Sequence, residues 1–70
     1  MLKKTFVKTL GLRGFYVYEI YLINAGGDIW YEADPKTPGC VTRTANTEAE
    51  LKIILLNDVD QIIKFQQKVR

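Results

Sequence analysis

The sequence predicts a small α+β domain: a mainly antiparallel sheet of four to five strands with a C-terminal α-helix packed on one face. Three observations carry that reading. Residues 15–23 form an unbroken aromatic and β-branched run, the composition that suits a pleated surface. Gly26-Gly27 then sets a tight turn before a second such run. Residues 58–69 return apolar side chains at helical spacing behind a polar cap.

The elements follow in order. Residues 5–10 alternate enough for a strand, and Gly11 and Gly14 flank a short turn. Residues 15–23 are apolar on both faces, which places that strand centrally in the sheet or under cover on both sides. Asn24-Ala25-Gly26-Gly27-Asp28 is a hairpin loop, and residues 29–33 return as the next strand. Asp34 to Gly39 must be loop, with Pro38-Gly39 at the two central positions of a type II turn. Residues 40–44 read as a short strand.

The last third carries two conflicting signals. Thr47-Glu48-Ala49-Glu50 is a capping-box pattern, and Asp58-Val59-Asp60-Gln61 repeats the same form. A single helix across both would place Asp58 within the apolar stripe of Leu51, Leu55, Ile62 and Val69, which is costly unless the carboxylate is paired. The reading is therefore a break at Asn57-Asp58, with a helix over 58–69 capped by Asp58 or Asn57, in which Val59, Ile62 and Ile63 face inward and Phe65 is a further inward candidate. Four consecutive aliphatics, Ile53 to Leu56, favour 51–56 as a fifth strand over a short helix.

Size bounds the chain to one domain spanning 1–70, and a domain this short is only marginally stable without help. The single cysteine, Cys40, forbids an intramolecular disulfide, and a chain without histidine is a poor structural-zinc candidate. At 47% hydrophobic residues the chain can still build a real core. No stretch approaches the ~20 apolar residues needed to cross a bilayer, and the basic N-terminus lacks the apolar region of a signal peptide. The chain is accordingly expected in the cytoplasm, where a free thiol is also at home.

Missing residue types constrain the chemistry. Without histidine there is no imidazole base, and without any serine there is no serine nucleophile. Cys40 would need a lowered pKa to act as a thiolate, with only Arg43 near in sequence to help, and reads better as a small buried side chain at a strand start. The carboxylate pairs Glu48/Glu50 and Asp58/Asp60 read as helix-start residues. Gly26-Gly27 lacks the following Lys-Ser or Lys-Thr of a phosphate loop. The chain is expected to be no enzyme, with no cofactor and no metal site.

Charge is unevenly spread. Residues 1–14 hold Lys3, Lys4, Lys8 and Arg13 with no acid, and residues 64–70 hold Lys64, Lys68 and Arg70 with none. The stretch between has three basic and eight acidic residues, so the three segments sum to +4, −5 and +3. One reading is solubility plus a helix C-terminus suited to its dipole; the other is two basic ends converging on a polyanion. Seven of the eight aromatics precede residue 32. On a strand, Tyr16 and Tyr18 share one face while Phe15 and Tyr21 share the other, so one set packs under the helix and the other is presented.

Two local resemblances end here. Arg13-Gly14-Phe15-Tyr16-Val17-Tyr18-Glu19-Ile20 resembles the longer signature of RNA-recognition motifs in its basic-Gly-aromatic start, but departs at Tyr16 and Val17. It also lacks the strand and helix that should precede it, so the match is one of chance. Pro38-Gly39-Cys40-Val41-Thr42 with Thr47-Glu48-Ala49-Glu50 is similar to the Pro-Gly-Cys and Thr-x-Glu-Glu-Ala stretch of HicB-type antitoxins, small domains that occupy a toxin. It departs in the Lys36-Thr37 insert, a one-residue shift of the threonine, and Leu51. Turn chemistry and capping produce the same pattern without kinship, and no family is assigned.

The expected function is a non-catalytic binding protein covering a surface of a macromolecular partner, in the manner of a small inhibitor, antitoxin or adaptor. Its candidate contact residues are Tyr16, Tyr18, Tyr21, Trp30, Tyr31 and Arg43, because Tyr, Trp and Arg dominate interface hot spots. The alternative is a nucleic-acid-binding module using Lys3, Lys4, Lys8, Arg13 and the sheet tyrosines. A homodimer formed by edge-strand pairing is a third possibility. No membrane partner is expected.

Overall fold

The structure, a computed structural model, describes residues 1–69, with the side chains of residues 1–67. Four strands, β1 (Leu2–Leu12), β2 (Tyr16–Ala25), β3 (Asp28–Pro35) and β4 (Arg43–Ala45), are followed by one helix, α1 (Glu48–Val69). The sheet is antiparallel throughout with strand order β1-β2-β3-β4. The predicted class and the central place of β2 hold. The strand expected at 40–44 is confined to Arg43–Ala45, and β1 is longer than the 5–10 expected.

Turn chemistry sets the register. Ala25 pairs with Asp28, leaving Gly26 and Gly27 as a two-residue loop with φ of 62° and 98°, values that suit glycine. Thr37 to Cys40 closes as a turn in which Cys40 N donates to Thr37 O at 3.4 Å and Gly39 has φ 90°, as the type II assignment requires. Thr37 is buried: its hydroxyl accepts from Val17 N at 2.9 Å and donates to Phe15 O at 3.3 Å, tying this loop to β2.

The helix runs unbroken from Glu48, which corrects both the break at Asn57-Asp58 and the strand at 51–56. Thr47 caps it: Glu50 N donates to Thr47 Oγ1 at 3.1 Å, so the capping box announces the true start. Leu51, Leu55 and Val59 recur every fourth residue, and all are buried. Asp58 is tolerated because Arg43 on β4 meets it with two bonds, Nε to Oδ2 at 2.6 Å and Nη2 to Oδ1 at 3.2 Å. Asp60 likewise holds Arg13 at 3.0 and 3.1 Å. Asp58 and Asp60 are thus mid-helix ion-pair partners rather than caps. Cys40 lies in the coil before β4, half-buried rather than buried.

Helix and sheet meet through one cluster: Leu12, Tyr16, Tyr18, Ile20 and Ala33 from the sheet against Leu51, Leu55 and Val59. Ile62 and Ile63 pack at its margin, and from Lys64 to Gln67 the side chains are exposed. Val69, placed in the apolar stripe by the sequence, lies outside the described side chains. Leu55→Ala is expected to cost about 2–5 kcal/mol, and Ile53→Ala, at a position 68% exposed, within about 0.5 kcal/mol. Thermal unfolding of both variants checks this. In a strand, residues 53 and 55 would share a face and the two costs would be alike.

Candidate functional site

Among the described residues a single helix covers one face of the sheet and no element covers the other, and that open face carries its own network. β1 has a bulge at Val7, because Phe6 pairs with Tyr21 while Lys8 pairs with Ile20. Before the bulge, Lys4 and Phe6 therefore fall on the open face, whereas Lys8 and Leu10 fall on the helix side. Tyr21 is the centre: Phe6 meets it edge-on, ring centroids 5.6 Å apart at 73°, and Lys4 Nζ lies 4.5 Å from its ring centroid. The Tyr21 hydroxyl donates to Glu19 Oε1 at 3.1 Å, and Lys36 Nζ approaches the same oxygen at 3.4 Å.

Lys4 also reaches Asp34 Oδ2 at 2.7 Å and Glu32 Oε2 at 2.9 Å. Its ammonium is held above its usual range by the hydrogen bond to Asp34 first and then that to Glu32. Partial burial pushes the Asp34 carboxyl up, but the hydrogen bonds from Lys4 and with Glu32 outweigh it, and the net direction is down. The Glu19 hydrogen bond, then burial, raises the Tyr21 phenol. Beneath this layer Ile23, 2% exposed, is buried outside the helix-facing cluster, between Lys4 and Trp30 in register. Phe6 remains 52% exposed, and Tyr21 and Trp30 are half-buried.

The contact residues proposed from sequence divide. Tyr16 and Tyr18 belong to the core, Tyr18 with no exposed surface, which takes both out of any contact surface. Tyr31 is partly buried against the core from the helix side, and Arg43 is engaged by Asp58. Only Tyr21 and Trp30 fall on the open face, Trp30 opposite Ile23 rather than Tyr21, and the aromatic that meets Tyr21 there is Phe6, which is not among the contact residues expected from sequence. The signal for Phe6 was its alternation in β1; its place beside Tyr21 depends on the bulge.

The basic set does not converge. Lys4 sits on the open face; Lys8, on the helix side, meets Glu48 at 3.1 Å; Arg13, in the β1–β2 turn, meets Asp60. Hydrogen bonding to Asp60 holds the Arg13 guanidinium above its usual pKa. Lys3 pairs in register with Asn24 on the other face from Lys4. The Lys68 side chain and Arg70 lie outside the described residues. Among the described residues no cluster of three or more His, Cys, Asp or Glu could hold a metal, and no helix is long and apolar enough to cross a membrane. The chain matches no family model, no curated protein and no solved structure.

The pKa directions set a pH window. The raised Lys4 contributes stability that is present below about pH 10.4 and lost as pH rises through its folded value; the lowered Asp34 contributes above about pH 3.9 and is lost as pH falls through its folded value. The network therefore stays whole through neutral pH. A carboxyl-carbon NMR titration is expected to place the Asp34 midpoint below ~3.9 and to move it up in Lys4→Met. An unmoved midpoint would show that Lys4 does not hold this carboxylate.

Proposed function

We propose that this chain is a non-catalytic binding protein that covers a surface of a protein partner with the open face of its sheet. The observation that carries this reading is the Phe6–Tyr21 pair, with Trp30 on the same sheet face, which no helix covers among the described residues. Aromatic side chains give large contact area at low entropic cost, and the surrounding ion pairs are already satisfied within the chain.

The same face disfavours nucleic acid. Bases stacked on Tyr21 would bring phosphates toward Glu19, Glu32 and Asp34, three carboxylates against the ammonium groups of Lys4 and Lys36. Edge pairing with a second copy is opposed as well. β1 is an outer strand carrying Lys3, Lys4 and Lys8 and a bulge, and self-pairing centred on Phe6 would set Lys4 against Lys8. The other edge, β4, is three residues long.

A tagged pull-down from a lysate of the native source, with and without nuclease, supplies the partner. Trp30→Ala and Phe6→Ala are each expected to weaken its binding by about tenfold or more, with the fold retained by circular dichroism. Ile53→Ala on the outer helix face should leave binding unchanged. Loss of binding in Ile53→Ala alone, or recovery that collapses with nuclease, would overturn this reading.

A further inference from the structure

The open face carries charge of the opposite sign to the chain. The whole chain sums to +2 at neutral pH. By alternation along β3, Asp28, Trp30, Glu32 and Asp34 share the open face, and Glu19 stands on it in β2. Against these four carboxylates the face holds two ammonium groups, those of Lys4 and Lys36, for a net of −2.

The two ammonium groups leave acid unmatched. Lys4 takes Glu32 at Oε2 and Asp34 at Oδ2, while Tyr21 and Lys36 take Glu19 at Oε1, so the second oxygen of each carboxylate lies outside these bonds. Asp28 is exposed and has no ion pair among the described residues. Asp28 and Glu32 each stand two residues from Trp30, so a carboxylate flanks the indole ~7 Å away along the strand in either direction. Indole is the aromatic ring that attracts cations best, and a guanidinium stacks on rings while its N–H groups meet carboxylates. The chain makes such an arrangement once for itself: Lys4 Nζ lies 4.5 Å from the Tyr21 ring centroid while bonded to Glu32 and Asp34. Among the described residues, no cation of the chain lies over Trp30.

We propose that the partner of the open face presents a basic surface, and that an arginine from it seats against Trp30 between Asp28 and Glu32. The proposal rests on the docking face inferred above and names the chemistry of what docks there. Complementary charge sets encounter rate and partner choice, and arginine is among the residues that dominate interface hot spots. A second copy meeting face to face would set net −2 against net −2.

The test is a titration of the 15N-labelled full chain with an arginine hexapeptide, read by amide shifts and by the fluorescence of Trp30, the sole tryptophan. A citrulline hexapeptide, neutral and of the same shape, and a glutamate hexapeptide are the controls. The arginine peptide is expected to give saturable shifts at Asp28, Trp30 and Glu32, with an affinity that falls as salt is added. The citrulline peptide should bind about tenfold more weakly, and the glutamate peptide should leave these residues unmoved. Asp28→Asn, at an exposed position, should weaken the arginine peptide about three- to tenfold. Asn57→Lys, which makes the same change in net charge on the exposed helix surface, should leave it unchanged. Equal binding of the arginine and citrulline peptides, or Asp28→Asn as tight as the parent chain, would overturn the basic partner. Either result would leave the docking face itself standing, because Trp30→Ala and Phe6→Ala test that face separately against the captured partner. Sedimentation of the chain alone should show a monomer. A dimer that Trp30→Ala dissolves would put a second copy on the face and overturn the proposal.

Discussion

One helix across one face of a four-stranded sheet can bury only the side chains of that face, and the rest of this structure follows from that limit. Tyr16, Tyr18 and Ile20 on β2 meet Leu51, Leu55 and Val59 on α1, and this contact is almost the whole core. Among the described residues no second helix lies on the opposite face. That face instead supports itself locally: Ile23 is buried under neighbours that include Lys4 and Trp30 in register, and ion pairs and an aromatic contact surround it. The aromatic group left at its surface is what the proposed function uses.

The same limit explains the charge pattern. A basic N-terminal segment and an acidic centre look, in sequence, like a polyanion site or like simple solubility. In the fold they are halves of ion pairs. Lys4 meets Glu32 and Asp34 across the sheet, Lys8 meets Glu48 at the helix start, and Arg13 meets Asp60. Each pair is exposed enough to contribute little on its own. Together they favour this arrangement of β1 over others, because every basic group in β1 except Lys3 is matched to a carboxylate on a different element.

Local features were legible in the sequence where the physics is local. The β2 run, the Gly26-Gly27 hairpin, the turn at Pro38-Gly39 and the cap at Thr47 each depend on a few adjacent residues. The helix break was misread because the cost of burying Asp58 is cancelled by Arg43, fifteen residues away on a strand whose position depends on the whole sheet. Residues 51–56 look strand-like by composition, but the spacing of Leu51, Leu55 and Val59 decides for helix. For the site, alternation in β2 correctly separated Tyr16 and Tyr18 from Tyr21. It could not say which set lay under the helix, and the bulge that brings Phe6 to Tyr21 has no sequence signature.

The account stands or falls on which aromatic side chains face solvent. The direct measurement is paramagnetic broadening of side-chain proton signals by a soluble gadolinium chelate. The structure predicts strong broadening for Phe6, intermediate broadening for Tyr21 and Trp30, and none for Tyr18. If Phe6 and Trp30 were as protected as Tyr18 across a range of protein concentrations, the sheet would have no open face, and the account would be wrong.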